Sequence, residues 1–470
     1  MTLKTIPEIK GKPIIGNIAE FADDPTVTLL DMARKHGDIV QFRMFGNKFI
    51  LISNPDYIRE VLVSKVDLFP KADRDIELLS RFLGKGLLSS SGDLHRHQRK
   101  LAQPAFHMRR INAYADTMTN YAASLRDQWQ PGETHDMSEE MMTLTMFIVA
   151  KTLFDADKDQ MTGLAQTVGE AVGSIQTITD AEFNLPLVIP EWMPTRNNRE
   201  RKQARKVLYE TIDMMIAARR ETAVSGQIED TGDLLSMLLL SQDEDGNFMP
   251  DHQVRDELVT LFVAGHETTS NALTWTWYLL AEHPAVEAKL HAELDRVLNG
   301  RLPTLADLNE LTYTEMVIKE ALRLYPPAWS LSGRQATTDT SIGDYFVAQN
   351  SIVFISPFVM HRLPQYFPDP EAFIPERFTP EQEAALPRYT YLPFGGGPRV
   401  CIGNSFALME ARLILATLAQ RYRFRLAPDQ VVARNPQITL SPKYGMHMRL
   451  EARETAVTEP HIPETAVPTL

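Results

Sequence analysis

Cysteine is almost absent from this chain of 470 residues: a single thiol, Cys401, excludes an intramolecular disulfide and a Cys-rich zinc cluster. The N-terminus, Met1-Thr-Leu-Lys-Thr-Ile-Pro7, lacks an apolar run long enough for a signal peptide or a membrane anchor. With a thiol that must stay reduced, this leads us to expect a cytoplasmic protein with no membrane anchor. No Gly/Ser-rich linker divides the sequence, so residues 1–451 read as one domain despite the length. Positive charge is in deficit, with 48 Lys and Arg against 61 Asp and Glu, and the formal net charge of −13 argues against a nucleic-acid partner. Residues 452–470 repeat Glu-Thr-Ala-Val at 454–457 and 464–467 among prolines and are expected to form a disordered tail. What the chain does have is apolar content: 44% hydrophobic residues, enough for a large core.

The lone thiol sits in Phe394-Gly-Gly-Gly-Pro-Arg-Val-Cys-Ile-Gly403, a tight Gly/Pro loop. The following stretch, Asn404 to Gln420, has helical apolar spacing and strong helix formers. Cys401 therefore lies at a helix N-terminus, where free N–H groups and the dipole favour a thiolate. Gly395, Gly396 and Gly397 permit close backbone approaches, and Arg399 can lie beside the sulfur. A thiolate on such a loop suits an axial ligand to haem iron. The bland alternative is a buried, inert cysteine after a glycine turn.

Phe394, Gly397, Arg399, Cys401 and Gly403 fit the spacing Phe-x-x-Gly-x-Arg-x-Cys-x-Gly, and on these residues the chain resembles a cytochrome P450. A distant segment agrees. The apolar stretch Val254–Leu280 has no proline before Pro284 and an N-cap candidate in Asp251, so it reads as a central helix. Charged residues at one end and His266-Glu-Thr-Thr269 in its middle argue against a membrane span. Ala264-Gly-His-Glu-Thr-Thr269 is similar to the family's oxygen-binding pattern. Ala264 and Gly265 leave room for a diatomic ligand, and a threonine hydroxyl can bond back to a preceding carbonyl and bend the helix. The resemblance implies that Thr268 hydrogen-bonds dioxygen and that Glu267 serves the proton relay.

Glu320 and Arg323 share a helix face that Pro326 and Pro327 bring to an end. The family joins such a pair to an arginine in a downstream Pro-Glu-Arg-Phe run, here Pro375–Phe378. Glu320, Arg323 and Arg377 would then form a buried network bracing the segment before the cysteine loop. His95 and Arg99 are four apart on one helix face. The resemblance places both against a haem propionate, with His95 standing where many relatives have Trp. Arg334 matches another propionate-contacting arginine, so Arg99, Arg334 and Arg399 would together neutralise the two propionates of haem b.

The implied fold is mainly α: a large helical domain with a small β-rich lobe. Strand-like runs at 39–45, 48–53, 352–356 and around 446–450 would supply the lobe. The implied activity is monooxygenation, inserting one oxygen atom from O2 into an apolar small molecule by hydroxylation or epoxidation. Electrons would come from a ferredoxin or flavodoxin with an NAD(P)H-dependent reductase, and the protein is expected to act as a monomer. A basic cluster of Arg96, Lys100, Arg109 and Arg110 is either a docking face for that acidic carrier or an ordinary solvated face. Expected substrate contacts are apolar: Leu78, Leu79, Phe82, Leu87, Leu88, Ile175, Ile178, Phe183, Leu185, Leu261, Phe262, Ala264, Ala328, Trp329, Leu331, Thr439 and Leu440. They suit a fatty acid, terpenoid, steroid or macrolide-like molecule. The hairpin around Lys48 lacks the Arg/Tyr carboxylate anchor of well-known fatty-acid relatives, which points away from an obligate fatty-acid enzyme. Three other readings stay open: a haem–thiolate peroxygenase using H2O2, a non-catalytic haem sensor, and a haem-free cysteine hydrolase, which would need a histidine base near Cys401.

Overall fold

The computed structural model describes residues 3–155, 158–183, 185, 188–221 and 228–453. Its spine is the helix Asp251–Glu282, 32 residues that rise about 48 Å at ~1.5 Å per residue. The helix runs uninterrupted through His266–Thr269. Asp251 is its first residue rather than its cap: Pro250 occupies that place, and the Asp251 carboxylate accepts from Arg220. Among the described residues, no helix is long and apolar enough to cross a membrane. This one is wrapped by protein, packing along Met137–Phe154 on one side, with Trp275 and Trp277 fully buried.

Two helices meet this spine near its middle. Thr312–Leu324 carries Glu320 and Arg323, and Asn404–Ala419 follows the cysteine loop with residues 409–411 and 413–419 buried. The fold is mainly helical, as expected, and the β structure is confined to small sheets.

The largest sheet has four strands. Ile39–Met44 and Asn47–Ile52 form an antiparallel hairpin whose two turn residues, Phe45 and Gly46, both adopt positive φ, the geometry that matches strand twist. Ile352–Phe354 joins this hairpin in parallel, and Arg334–Gln335 adds a short antiparallel edge. That edge sets the direction of Arg334. A second hairpin pairs Arg434–Pro436 with Leu440–Pro442, leaving Gln437–Thr439 as its turn. Thr134–Asp136, His447–Ala452 and Tyr422–Leu426 make a third sheet. Ala452 pairs with Tyr422, and Arg453 donates to Asp295 at 2.8 Å, which ties the first two residues of the expected tail to this sheet and to the helix Pro284–Leu298. The rest of the expected tail, 454–470, lies outside the described residues.

Candidate active site

Cys401 opens onto a cavity of about 410 Å³ bounded by the central helix, the cysteine loop, the helix Gly92–Ala102, the segment Pro327–Arg334 and the turn Ile438–Thr439. The loop is held by its own backbone. Cys401 N–H donates to Phe394 O at 2.9 Å, and Gly395 N–H to Leu392 O at 3.0 Å. Gly397 has φ +68°, and a Cβ there would stand 2.3 Å from Leu62 O, so only glycine fits.

The sulfur faces the cavity but is crowded by protein atoms, and this burial pushes the thiol upward, opposed by the Gly403 amide and the Arg99 charge. The helix terminus alone favours the thiolate, as expected from the sequence, but in the folded protein desolvation outweighs it. The cation beside the sulfur is Arg99, whose Nη1 donates to Val400 O at 2.8 Å. Arg399, expected there, instead donates to Ser90 O at 2.9 Å.

Lys71, His95, Arg99, Arg334 and Arg399 converge on one end of this cavity. Burial and neighbouring cations push Lys71 down to about 7, and burial pushes Arg334 and Arg399 down to about 10. His95 is pushed down to about 3 by burial and by Arg399, Lys71, Arg99 and Arg334, so its ring is neutral. One carboxylate, Asp75, stands against these cations, and its Oδ2 accepts from Gly333 N–H at 2.8 Å. The buried Nε of Arg334 has no hydrogen-bond partner. Concentrated, poorly compensated positive charge is costly unless an anion completes it. The arrangement therefore fits a cofactor that presents a soft-ligand metal to Cys401 and two carboxylates to the cations, as haem does. Lys71 has no motif around it and was not among the expected residues.

From the central helix, Ala264, Gly265 and Thr268 line the cavity. Thr268 Oγ1 donates to Ala264 O at 2.8 Å, and Thr269 Oγ1 to Gly265 O at 3.2 Å. Glu267 does not belong to this wall. It is buried on another face of the helix, where its Oε1 accepts from Gln176 Nε2 at 2.6 Å and from Thr439 Oγ1.

Apolar expectations divide sharply. Leu79, Leu87, Leu88, Leu261, Ala328 and Leu331 line the cavity, with Thr439. Leu78, Phe82, Phe262, Trp329 and Leu440 do not. Phe82 and Phe262 pack in the core with Phe154, while Trp329 and Leu440 pack beside the first sheet, the indole of Trp329 donating to Gln437 O at 2.7 Å. Leu78 is sealed from solvent and cavity alike. Ile175, Ile178, Phe183 and Leu185 also stand off the wall. Ile438, Val149, Thr152 and Leu153 line it and were not expected.

Behind the cysteine loop, Arg323 is wholly buried. It donates to Glu320 twice, at 2.6 and 2.8 Å, and to the carbonyls of His361, Pro370 and Ala372 at 2.8, 2.6 and 2.9 Å. Arg377 completes the expected triad as an ion pair, its Nε 3.4 Å from Glu320 but without hydrogen-bond geometry. The link from this network to the loop is His361, which motif spacing does not reveal. Its Nε2 accepts from Leu392 N–H at 2.9 Å, which leaves Nδ1 to donate to Arg323 O at 3.2 Å. Burial holds the imidazole well below its usual range, so it is neutral. The basic cluster is largely compensated: Arg96 pairs with Asp93, Lys100 with Glu244 and Arg110 with Asp230.

Comparison with known proteins agrees with this geometry. The family model described as "Cytochrome P450" matches residues 6–448. Cyclooctatin synthase of Streptomyces melanosporofaciens is 37% identical over 92% of this chain and 92% of its own length. Cyclooctat-9-en-7-ol 5-monooxygenase of the same organism is 37% identical, covering 88% of each chain. Pentalenene oxygenase of Streptomyces avermitilis is 30% identical over 94% of this chain and 96% of its own. With its thiol loop, cation cluster and nearly full-length match, the chain belongs to the cytochrome P450 family and is a haem–thiolate monooxygenase.

Proposed function

We propose that the protein oxygenates a ring-bearing terpenoid, either an apolar alkene or its mono-alcohol. The cavity wall carries this reading: Leu79, Leu87, Leu88, Leu261, Leu331 and Ile438 line it together with Ala264, while its cations converge with Arg99. Lys48, the one candidate for a carboxylate anchor, is not part of the wall. With those cations committed to the cofactor's carboxylates, the remaining apolar wall favours a neutral hydrocarbon over a fatty acid. The names of the relatives, an alkene oxygenase and a monooxygenase of an alcohol, support the same class.

When bound, haem supplies the activation of O2 and the transfer of one oxygen atom to carbon. The chain provides the rest. Cys401 would hold the haem iron through its sulfur, on a loop fixed by Gly397 and by the Phe394 carbonyl. Lys71, His95, Arg99, Arg334 and Arg399 would hold the carboxylates of haem b, and Phe394 and Gly403 would pack beside the ligand. Ala264 and Gly265 keep space open. Thr268 brings a hydroxyl to the cavity wall, where it donates to Ala264 O, and Glu267 would be the acid that feeds protons toward the cavity. Electrons would arrive one at a time from a ferredoxin or flavodoxin reduced by an NAD(P)H-dependent reductase. We further propose a cytoplasmic monomer.

A spin-state titration tests the substrate class. Cyclic terpene hydrocarbons and alcohols should give saturable low-to-high-spin shifts, and long-chain fatty acids little. A shift given only by fatty acids or steroids would overturn the assignment.

A further inference from the structure

Glu267 stands beside the oxygen-side threonine in sequence, yet its carboxylate turns away from the cavity. Thr439 touches both: it lines the cavity and bonds Glu267 Oε1. Its hydroxyl direction follows from its other neighbour. Asn271 Nδ2 donates to Thr439 Oγ1 at 3.1 Å, so the oxygen accepts there and its own hydrogen goes to Glu267.

The turn around Thr439 is tied at four successive residues. Gln437 O accepts from Trp329, Ile438 N–H donates to Asp180 Oδ1 at 2.8 Å, Thr439 bonds Glu267, and Leu440 N–H donates to Pro327 O at 2.9 Å. Asp180 lies one helical turn after Gln176, which holds the same Glu267 oxygen at 2.6 Å. Burial, resisted by the Ile438 amide and assisted by the charge of Glu267, pushes Asp180 up to about 7. Two carboxyl groups thus clamp a two-residue piece of the cavity wall.

We propose that Thr439 is the residue through which Glu267 passes protons into the cavity, its hydroxyl reversing direction with the protonation of Glu267. With Glu267 ionised, the Thr439 O–H points outward to Oε1. Once Glu267 takes a proton from solvent, its own O–H becomes the donor to Thr439 Oγ1. The Thr439 oxygen then accepts from Asn271 and Glu267 together and turns its hydrogen inward. Delivery moves the Thr439 proton to a basic oxygen in the cavity, breaking the Thr439 O–H bond and forming an O–H bond on that acceptor, while the Glu267 proton forms a new O–H bond on Thr439. Thr439 ends as a neutral hydroxyl, Glu267 as a carboxylate, and no electrons move. This role presupposes that Glu267 is the relay acid and is independent of which organic substrate is used. The alternative is a static clamp that only holds the turn.

The holoenzyme separates the two, with carbon monoxide and dioxygen as probes. Glu267→Gln puts a neutral amide donor against Thr439, so the hydroxyl should swing inward and add a lower-frequency C–O stretch to the ferrous carbonyl spectrum. The double variant Glu267→Gln/Thr439→Val should lose that band. In NADPH oxidation without organic substrate, Glu267→Gln and Thr439→Val should each raise the peroxide-to-water ratio by roughly tenfold or more, and the double variant no further. Thr439→Ser should resemble the parent, and Thr439→Ala replaces Val should Val disturb the turn. If Glu267→Gln changes the ratio while Thr439→Val and Thr439→Ala do not, the route through Thr439 is wrong. If Glu267→Gln changes neither readout, the premise about Glu267 itself fails.

Discussion

Replacing Arg323 with methionine removes the donor at the centre of the network behind the cysteine loop. Five hydrogen bonds disappear: two to Glu320 and three to the carbonyls of His361, Pro370 and Ala372. Glu320 remains wholly buried, with the Ile374 amide at 2.9 Å and the Arg377 guanidinium at 3.4 Å as its remaining partners. Breaking a buried pair in this way costs about 3–5 kcal/mol, and the orphaned carbonyls add to it. Against a total stability of about 5–15 kcal/mol, a protein that folds poorly and loses its cofactor is the expected result. The buried charge left on Glu320 is the larger part of that loss. Glu320→Leu/Arg323→Met should therefore be more stable than Arg323→Met alone, by about 1–3 kcal/mol. Urea melts and the absorbance ratio of haem to protein measure both quantities. A single variant with parental stability, or a double variant no better than the single, would refute the reasoning.

Two further outcomes follow from positions with distinct causes. Gly397→Ala should destabilise the cysteine loop far more than Gly395→Ala. Both sit near φ +70°, which costs a Cβ-bearing residue about 1–2 kcal/mol, but only at Gly397 does the new carbon meet a backbone oxygen at 2.3 Å. Equal melting temperatures for the two variants would contradict this. Acid stability is the second. His291 is pushed down to about 3 by burial and by Arg453, Arg423 and Arg425, and burial holds His361 low as well. Below about 6.5 the unfolded chain binds protons that these rings refuse, so stability is present above that pH and is lost as pH falls toward about 3, by up to ~1.4 kcal/mol per unit for each ring. Melting temperature should drop through this window, and less steeply in His291→Gln; parallel curves would exclude the assignment.

The parts legible in the sequence are those where local backbone chemistry is restrictive. Gly397, Pro398 and Cys401 announce a tight loop, and the helix after it follows from apolar spacing alone. Glu320 and Arg323 are legible as a pair because three residues on a helix bring them together. Adjacent apolar residues were beyond such reading. Leu261 lines the cavity and Phe262 does not, and Leu79 lines it while Leu78 does not, because neighbours on a helix point about 100° apart and nothing local fixes the rotation. Partners far apart in sequence were equally hidden. Lys71 meets Arg334 and Arg399, His361 meets Leu392, and Glu267 meets Thr439 only after the chain has folded. Among the described residues, the seven short strands that sequence patterning missed owe their form to such pairings rather than to their own two to five residues.

The most direct measurement is the carbon monoxide difference spectrum of reduced protein carrying Cys401→Ser. Sulfur ligation by Cys401 predicts a long-wavelength Soret band in the parent and its loss in the variant, with Lys71, Arg99, Arg334 and Arg399 still retaining haem. An unchanged long-wavelength band in the serine protein would contradict the assignment of Cys401 as the axial ligand.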